Sequence, residues 1–143
     1  MVRRLSALAA ALAVAAAGSG AATGAKTPAA VVRAWSAALN ANHNAAAAQL
    51  FALGARVVQP GVDVHLDTRD LAIGFNDALP CAGRIVRMNV QGNRVVATFV
   101  LGERPQHRCD APGGKAAALF VVRNGKIILW QQVPVPKDKR PPA

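Results

Sequence analysis

The sequence has no tyrosine and only six aromatic residues, four Phe and two Trp, in 143 residues. These aromatic side chains stand among apolar neighbours and do not alternate with basic residues, so the chain lacks the stacking surface that single-stranded nucleic acids require. Nucleic acid is therefore not an expected partner. The sequence also lacks a glycine-rich phosphate loop, a nucleophile elbow and a paired metal-ligand motif, so we expect no cofactor and no metal.

Long apolar runs are absent too, since none approaches the roughly 20 residues that span a bilayer. The longest, residues 5–17, follows two arginines and precedes a stretch of small residues that ends at Ala25. This order is typical of a secretory signal peptide, with cleavage near Ala22 or Ala25. We therefore expect an exported protein that has no membrane span once its signal peptide (residues 1–25) is removed.

Acidic residues are scarce, with seven Asp and Glu against 17 Lys and Arg, which gives a formal net charge of +10. Such a surface attracts anionic partners, although a solvated basic surface explains the composition equally well. Residues 26–134 are long enough for one domain. The basic, proline-rich residues 135–143 are expected to form a flexible tail.

Cysteine is limited to Cys81 and Cys109. Because an exported chain reaches an oxidising compartment, we predict a disulfide between them. Closing a loop of this length would stabilise the fold by on the order of 3–4 kcal/mol. The alternative is a metal site that uses this pair with His107 and Asp110, but the paired CxxC spacing of such sites is missing.

Three helices are predicted in the first half of the mature chain. Thr27 and Pro28 are typical of a helix start. A second helix over residues 45–53 would be followed by Gly54 as its terminating residue, and Thr68 can cap a third. The first and third helices each carry three apolar residues on one face, namely Val31, Trp35 and Leu39, and Leu71, Phe75 and Leu79.

The other segments alternate as β-strands do. A short hairpin joins residues 55–59 to residues 62–67, and four longer antiparallel strands are predicted at 84–90, 94–101, 116–123 and 126–133. The last three are apolar on both faces, whereas the domain's own helices can cover only one face of a single sheet. We therefore predict a homodimer through the outer sheet face. The alternative is that β-propensity alone accounts for the second apolar face.

Three segments carry a family resemblance: residues 35–40 before a kink, residues 48–52 after it, and residues 125–127 with Trp130 in the last hairpin. With its order of elements, the mature chain resembles the nuclear-transport-factor-2-like superfamily, including SnoaL-like and ketosteroid-isomerase-like proteins. It departs at Asn42-His43, where members often have Gly-Asp. The resemblance implies an α+β fold in which a cone-shaped, curved antiparallel β-sheet packs against three N-terminal helices and encloses a pocket.

The resemblance leaves three functions open, because members of this superfamily isomerise, hydrate or cyclise substrates, or only bind and associate. The first is a SnoaL-like domain that binds a small, partly apolar ligand or a protein partner in or around the pocket. The second is a cofactor-free isomerase or hydratase, and the third is a purely structural dimerisation module. Isomerases of this kind typically use a Tyr and a carboxylic acid as oxyanion donors, and this chain has no Tyr.

The best candidates for catalysis are His65 with Asp63 or Asp67, which share one strand face so that an acid could orient the imidazole. The same pattern fits a polar face turned to water. Six further side chains are candidates to line the pocket or its mouth: Trp35, Phe75, Phe99, Trp130, Gln131 and His107. The aromatic ones among them fit a closed core equally well. Whichever of Gln131 and Gln132 points inward would orient a ligand in an apolar pocket.

Overall fold

The computed structural model describes residues 26–138. Its elements in chain order are α1 (Pro28–Asn40), α2 (Asn44–Gln49), β1 (Phe51–Gln59), β2 (Val62–Leu66), α3 (Arg69–Ala78), β3 (Ala82–Gln91), β4 (Arg94–Gly102), β5 (Lys115–Arg123) and β6 (Lys126–Val133). The predicted signal peptide (1–25) and the end of the predicted tail (139–143) lie outside the described residues. Within 26–138, no helix is long and apolar enough to cross a membrane.

Two helices begin at the residues predicted to cap them. The Thr27 hydroxyl accepts a hydrogen bond of 3.1 Å from the Ala30 backbone N–H, and the Thr68 hydroxyl accepts one of 3.1 Å from that of Leu71. Each cap satisfies an amide that has no partner inside its own helix. The first residues of α1 and α3 are thus determined by the threonine that precedes each helix, and this signal can be read from the sequence.

A single six-stranded sheet contains the strands of residues 26–138, in the order β2-β1-β6-β5-β4-β3. Neighbouring strands are antiparallel except β1 and β6, which run parallel. Register shifts between β3 and β4 and between β5 and β6 mark bulges, and bulges bend the strands that contain them. The predicted α+β fold, a curved and mostly antiparallel sheet with three helices, is confirmed.

The core lies between α1 and the inner face of the sheet. The stripe predicted on α1 is buried, because Val31, Trp35 and Leu39 are each less than a twentieth exposed. The Trp35 ring meets the Phe120 ring of β5 edge-on, with 5.2 Å between their centroids. Aromatic pairs favour this geometry, and the contact fixes α1 across the middle of the sheet.

The second helix is shorter than predicted. α2 ends at Gln49, and Phe51 already begins β1. Phe51 pairs in register with Ile127 of β6 and is buried, so this long-range pairing overrides the helix propensity of the preceding alanines. Gly54, predicted to terminate the helix, lies inside β1 with a left-handed φ of +81°, where the register against β6 shifts.

The apolar face predicted for the third helix is right in part, because Phe75 and Leu79 pack against the core but Leu71 does not. Leu71 is 52% exposed and Leu79 lies beyond the helix, whereas Ala72 and Asn76 are buried. Asn76 Oδ1 accepts a hydrogen bond of 2.7 Å from Trp35 Nε1, and Asn76 Nδ2 donates to Ala72 O at 2.8 Å. Because these buried groups satisfy one another, the asparagine rather than the leucine faces inward.

The outer face of the sheet is partly occupied by the chain itself. Residues 134–138 follow β6 and pass beside β3 to β5, where Arg87 donates to the Asp138 carboxylate at 3.1 Å. Thr98 and Leu119 on this face are 5% and 8% exposed. The predicted tail thus has a defined position as far as Asp138. Half-buried apolar side chains remain on the β1, β5 and β6 part of this face: Val58, Val121 and Leu129.

Candidate functional site

A cavity of about 260 Å³ lies between α1 and the inner face of the sheet. α1 and strands β4 to β6 supply most of its wall, and the residues around Pro80 close one side. Its rim includes the exposed side chains of Asp110 and Gln132. The cavity occupies the place where the resemblance leads us to expect a pocket.

Small residues on the strands leave room for this cavity. Ala116 and Ala118 occupy inward positions of β5, and Ala116 pairs directly with Phe99 of β4. On β3, a Cβ atom at Gly83 would lie only 2.9 Å from the Phe99 side chain. Because bulkier residues would fill the space or displace the Phe99 ring, the volume depends on these three positions.

Aromatic rings form much of the wall. Three of the predicted pocket residues, Trp35, Phe99 and Trp130, lie in it. A fourth, Phe75, does not line the cavity, because its ring packs in the core 5.8 Å from the Phe51 ring and 5.2 Å from the Trp130 ring. The wall is thus a rigid apolar surface held in place by edge-on ring contacts.

The two indole nitrogens of the wall differ in their hydrogen bonding. Trp35 Nε1 donates to Asn76, whereas Trp130 Nε1 is buried without a hydrogen-bond partner among the described residues. A buried indole N–H usually finds an acceptor, since leaving it unpaired is unfavourable. The Trp130 N–H is thus an unpaired donor within the described part of the chain.

Four polar side chains lie at the cavity: Ser36, Gln59, Gln132 and Asp110. The Ser36 hydroxyl already donates to the backbone oxygen of Gly83. Gln132 follows Trp130 by two residues on β6 and so shares its inward face, whereas Gln131 points to the outer face with Leu119. The proposed role for Gln131 is corrected on this ground, because side chains alternate along a strand. Asp110 is the one carboxylate in the lining, which contains no Lys, Arg or His.

A disulfide bond joins Cys81 to Cys109, as predicted, with 4.5 Å between their Cα atoms. It ties the start of β3 to the loop between β4 and β5, and Cys81 itself lines the cavity. Asp110 comes next in that loop, and its Oδ1 lies 3.5 Å from Cys81 Sγ. Since the two sulfurs are bonded to each other, they are not thiolate ligands for a metal.

The chain is similar to solved structures, although no protein-family model and no curated protein matches it. An NTF2-like protein of unknown function from Cytophaga hutchinsonii has a TM-score of 0.62 and 15% identity, covering 75% of this chain and 88% of that one. A proposed polyketide cyclase from Sinorhizobium meliloti has a TM-score of 0.59 and 16% identity, with 72% and 93% covered. The chain has the NTF2-like fold.

A third neighbour has a ketosteroid isomerase-like fold and comes from Catenulispora acidiphila. Its structure was determined in complex with trimethylamine, and it shares 25% identity with this chain. The TM-score is 0.58, and the match covers 76% of this chain and 87% of that one. These neighbours share the architecture that encloses the cavity.

Arg104, which the sequence patterns do not single out, joins three parts of this NTF2-like domain. Its side chain is almost fully buried, and Nη1 donates to the backbone oxygens of Asn76 and Leu79 at the end of α3. Nη2 donates to the side-chain oxygens of Asn42 and Asn44 between α1 and α2. Burial lowers the pKa of the guanidinium, while the carboxylate of a nearby aspartate opposes this shift.

His107 lies between the disulfide loop and α3 and does not line the cavity mouth where it was expected. Its Nε2 is 2.7 Å from the backbone oxygen of Asp77, and its Nδ1 is 2.8 Å from that of Pro105. The Asp77 carboxylate is 3.2 Å from Nε2. These contacts fasten the loop that carries Cys109 to the end of α3.

The three candidate catalytic residues lie on β2 and just after it, at the edge of the sheet, and none lines the cavity. Asp63 accepts two hydrogen bonds from Arg56, at 2.9 and 2.7 Å, and this pairing lowers the pKa of the Asp63 carboxyl. His65 Nδ1 is 3.1 Å from the backbone oxygen of Gly54. No hydrogen bond among the described residues joins His65 to Asp63 or to Asp67, so the expected pair of imidazole and carboxylate is not formed.

Proposed function

We propose that this protein is an exported NTF2-like domain that binds a small, partly apolar molecule in its cavity. The observation that carries the proposal is the cavity itself, with Trp35, Phe99 and Trp130 in its wall and the side-chain amides of Gln59 and Gln132 beside them. Ligand sites commonly combine an apolar wall with a few polar groups that orient the ligand.

The size of the cavity sets the size of the ligand. Its volume of about 260 Å³ is a little below the roughly 300–1,000 Å³ of pockets for drug-sized molecules. A cavity of about 150 Å³ lined by aliphatic and aromatic side chains is sufficient for benzene. The ligand class is therefore one ring, or a branched chain of similar bulk, with a polar substituent.

Hydrogen bonding supports a ligand that is not purely apolar. Gln59 and Gln132 each offer a donor and an acceptor at the cavity, and no side-chain hydrogen bond within residues 26–138 engages either amide. A ligand oxygen or nitrogen placed against these two amides would form hydrogen bonds with them.

The neighbours support binding of small molecules by this architecture. One is a proposed polyketide cyclase, and another was crystallised with trimethylamine. The geometry does not support catalysis through His65, because His65, Asp63 and Asp67 do not line the cavity. A purely structural module would be expected to fill the cone with its own side chains, which this chain does not do.

Export is supported by the disulfide, since such bonds persist in oxidising compartments and are rare in the cytosol. The signal peptide proposed for residues 1–25 lies outside the described residues. Sequencing the N-terminus of the mature protein would place the cleavage site. An uncleaved chain would contradict export by this route.

Benzyl alcohol tests the proposed function, because it combines one ring with one hydroxyl. We expect it to shift the indole N–H resonances of Trp35 and Trp130 saturably in an NMR titration. The variant Ala116→Leu fills the cavity and should abolish the shift, whereas Ala37→Leu places the same side chain on the exposed side of α1 and should retain it. Wild-type spectra that do not respond would contradict binding in the cavity.

We also propose the homodimer through the part of the outer sheet face that residues 134–138 leave open. Half-buried Val121 lies in this area beside Leu129. Sedimentation equilibrium should show a dimer for the mature protein and a monomer for Val121→Lys, because a charge in the contact is desolvated without a partner. Val62→Lys, at the exposed edge strand, should remain dimeric. A monomeric wild-type protein would refute this interface.

A further inference from the structure

The charge of the cavity lining is opposite in sign to the net charge of the chain. Basic residues outnumber acidic ones 17 to seven in the chain, yet the lining contains a carboxylate, Asp110, and no Lys, Arg or His. A site for an anionic molecule would be expected to use some of the abundant cations. Their exclusion from the lining, together with the presence of Asp110, points away from anions.

The position of Asp110 is fixed by covalent structure. It follows Cys109, whose disulfide partner Cys81 also lines the cavity, and its carboxylate lies 3.5 Å from the Cys81 sulfur. The Cys109 backbone N–H also donates to the Glu103 carboxylate at 3.0 Å. The loop therefore holds the carboxylate at the rim instead of leaving it on a free segment. Arg108 precedes the disulfide in this loop but does not line the cavity.

The lining that contains this carboxylate also contains three aromatic rings, those of Trp35, Phe99 and Trp130. A cation is attracted to an aromatic face through the ring's quadrupole, and Trp gives the strongest attraction. A carboxylate at the mouth adds direct charge attraction, which is less screened beside an apolar wall than in bulk water. Aromatic rings with a fixed acid complement an organic cation.

We propose that the cavity selects a small organic cation, a protonated primary, secondary or tertiary amine attached to one ring or a compact alkyl group, with Asp110 as the residue that determines this selectivity. The proposal rests on the proposed function, because it names the charge of the molecule that the cavity binds. The ammonium group lies at the rim against Asp110, and the apolar part lies among the aromatic rings. The Gln59 and Gln132 amides accept from the ammonium N–H groups that the carboxylate does not reach.

Benzylamine, benzyl alcohol and benzoate have similar shapes, but at neutral pH they are a cation, a neutral molecule and an anion. Comparing their affinities therefore measures the effect of charge. By isothermal titration we expect benzylamine to bind about tenfold more tightly than benzyl alcohol, since a partly screened charge pair and a cation–π contact supply that much. Benzoate should bind most weakly. In Asp110→Asn the advantage of benzylamine over benzyl alcohol should fall to less than about twofold, while the affinity for benzyl alcohol stays unchanged.

The control is Asp138→Asn, which removes one negative charge from the outer sheet face and should leave the benzylamine preference intact. Equal binding of benzylamine and benzyl alcohol to the wild-type protein, or a preference that survives Asp110→Asn, would overturn the selection of cations and leave the proposed function standing. Failure of all three probes to bind would overturn the proposed function and this inference together.

Discussion

Replacing Arg104 with methionine is expected to lower the free energy of unfolding by about 3–5 kcal/mol. The guanidinium donates to two backbone oxygens at the end of α3 and to the side-chain oxygens of Asn42 and Asn44. The Asn76 oxygen is buried and the other three acceptors are half-buried, and an acceptor left in the interior without a donor is destabilising by about 1–3 kcal/mol. Relief of the buried charge offsets part of this sum, which is why the full total is not expected.

Urea unfolding followed by tryptophan fluorescence measures this effect. Arg108→Met is the matched control, because Arg108 is an exposed arginine of the same loop and exposed substitutions usually change stability by less than about 0.5 kcal/mol. Arg104→Lys keeps the charge but reaches fewer of the four acceptors, so an intermediate loss is expected. An Arg104→Met variant as stable as Arg108→Met would show that this network does not hold the three helices together.

Removing the disulfide in the double variant Cys81→Ser/Cys109→Ser is expected to lower the free energy of unfolding by about 3–4 kcal/mol. The bond closes a loop with a sequence separation of 28, and the lost chain entropy of a loop this size in the unfolded state accounts for that figure. The native contacts of the loop, including those of His107 with α3, keep the folded state in place. The double variant should therefore still fold.

Reduction provides the internal check on this prediction. Wild-type protein in excess dithiothreitol should lose as much stability as the double variant, and the double variant should not respond to dithiothreitol at all. If oxidised wild-type protein and the double variant unfold at the same urea concentration, the disulfide does not stabilise the fold. Because Asp110 follows Cys109, the double variant should also bind benzylamine less selectively.

The parts of the fold that local chemistry determines could be predicted from the sequence. The threonine caps at Thr27 and Thr68 are each specified by a few neighbouring residues, and the structure has them. The start of β1 could not be predicted in this way. Phe51 is in a strand because it pairs with Ile127 of β6, a residue far away in the sequence.

The candidate site, like the fold, could be predicted from the sequence only in part. Trp35, Phe99 and Trp130 lie in the cavity wall as predicted, whereas Phe75 packs in the core. An aromatic residue in an apolar segment fits either place, so the sequence could not separate the two. Asp110 was not identifiable as a rim residue, because its position depends on a disulfide loop whose path the sequence does not reveal. Arg104 had no signal either, since arginine is seldom buried and its acceptors lie far from it in the sequence, at the end of α3 and at Asn42 and Asn44.

The central claim is that the cavity holds a small molecule. Native mass spectrometry of the protein recovered from its own secretory route tests it most directly, with Ala116→Leu prepared in the same way. We predict extra mass on the wild-type protein that denaturation releases, and none on Ala116→Leu. Wild-type protein that carries no extra mass under native conditions, with Ala116→Leu identical to it and more stable in urea, would contradict a binding cavity.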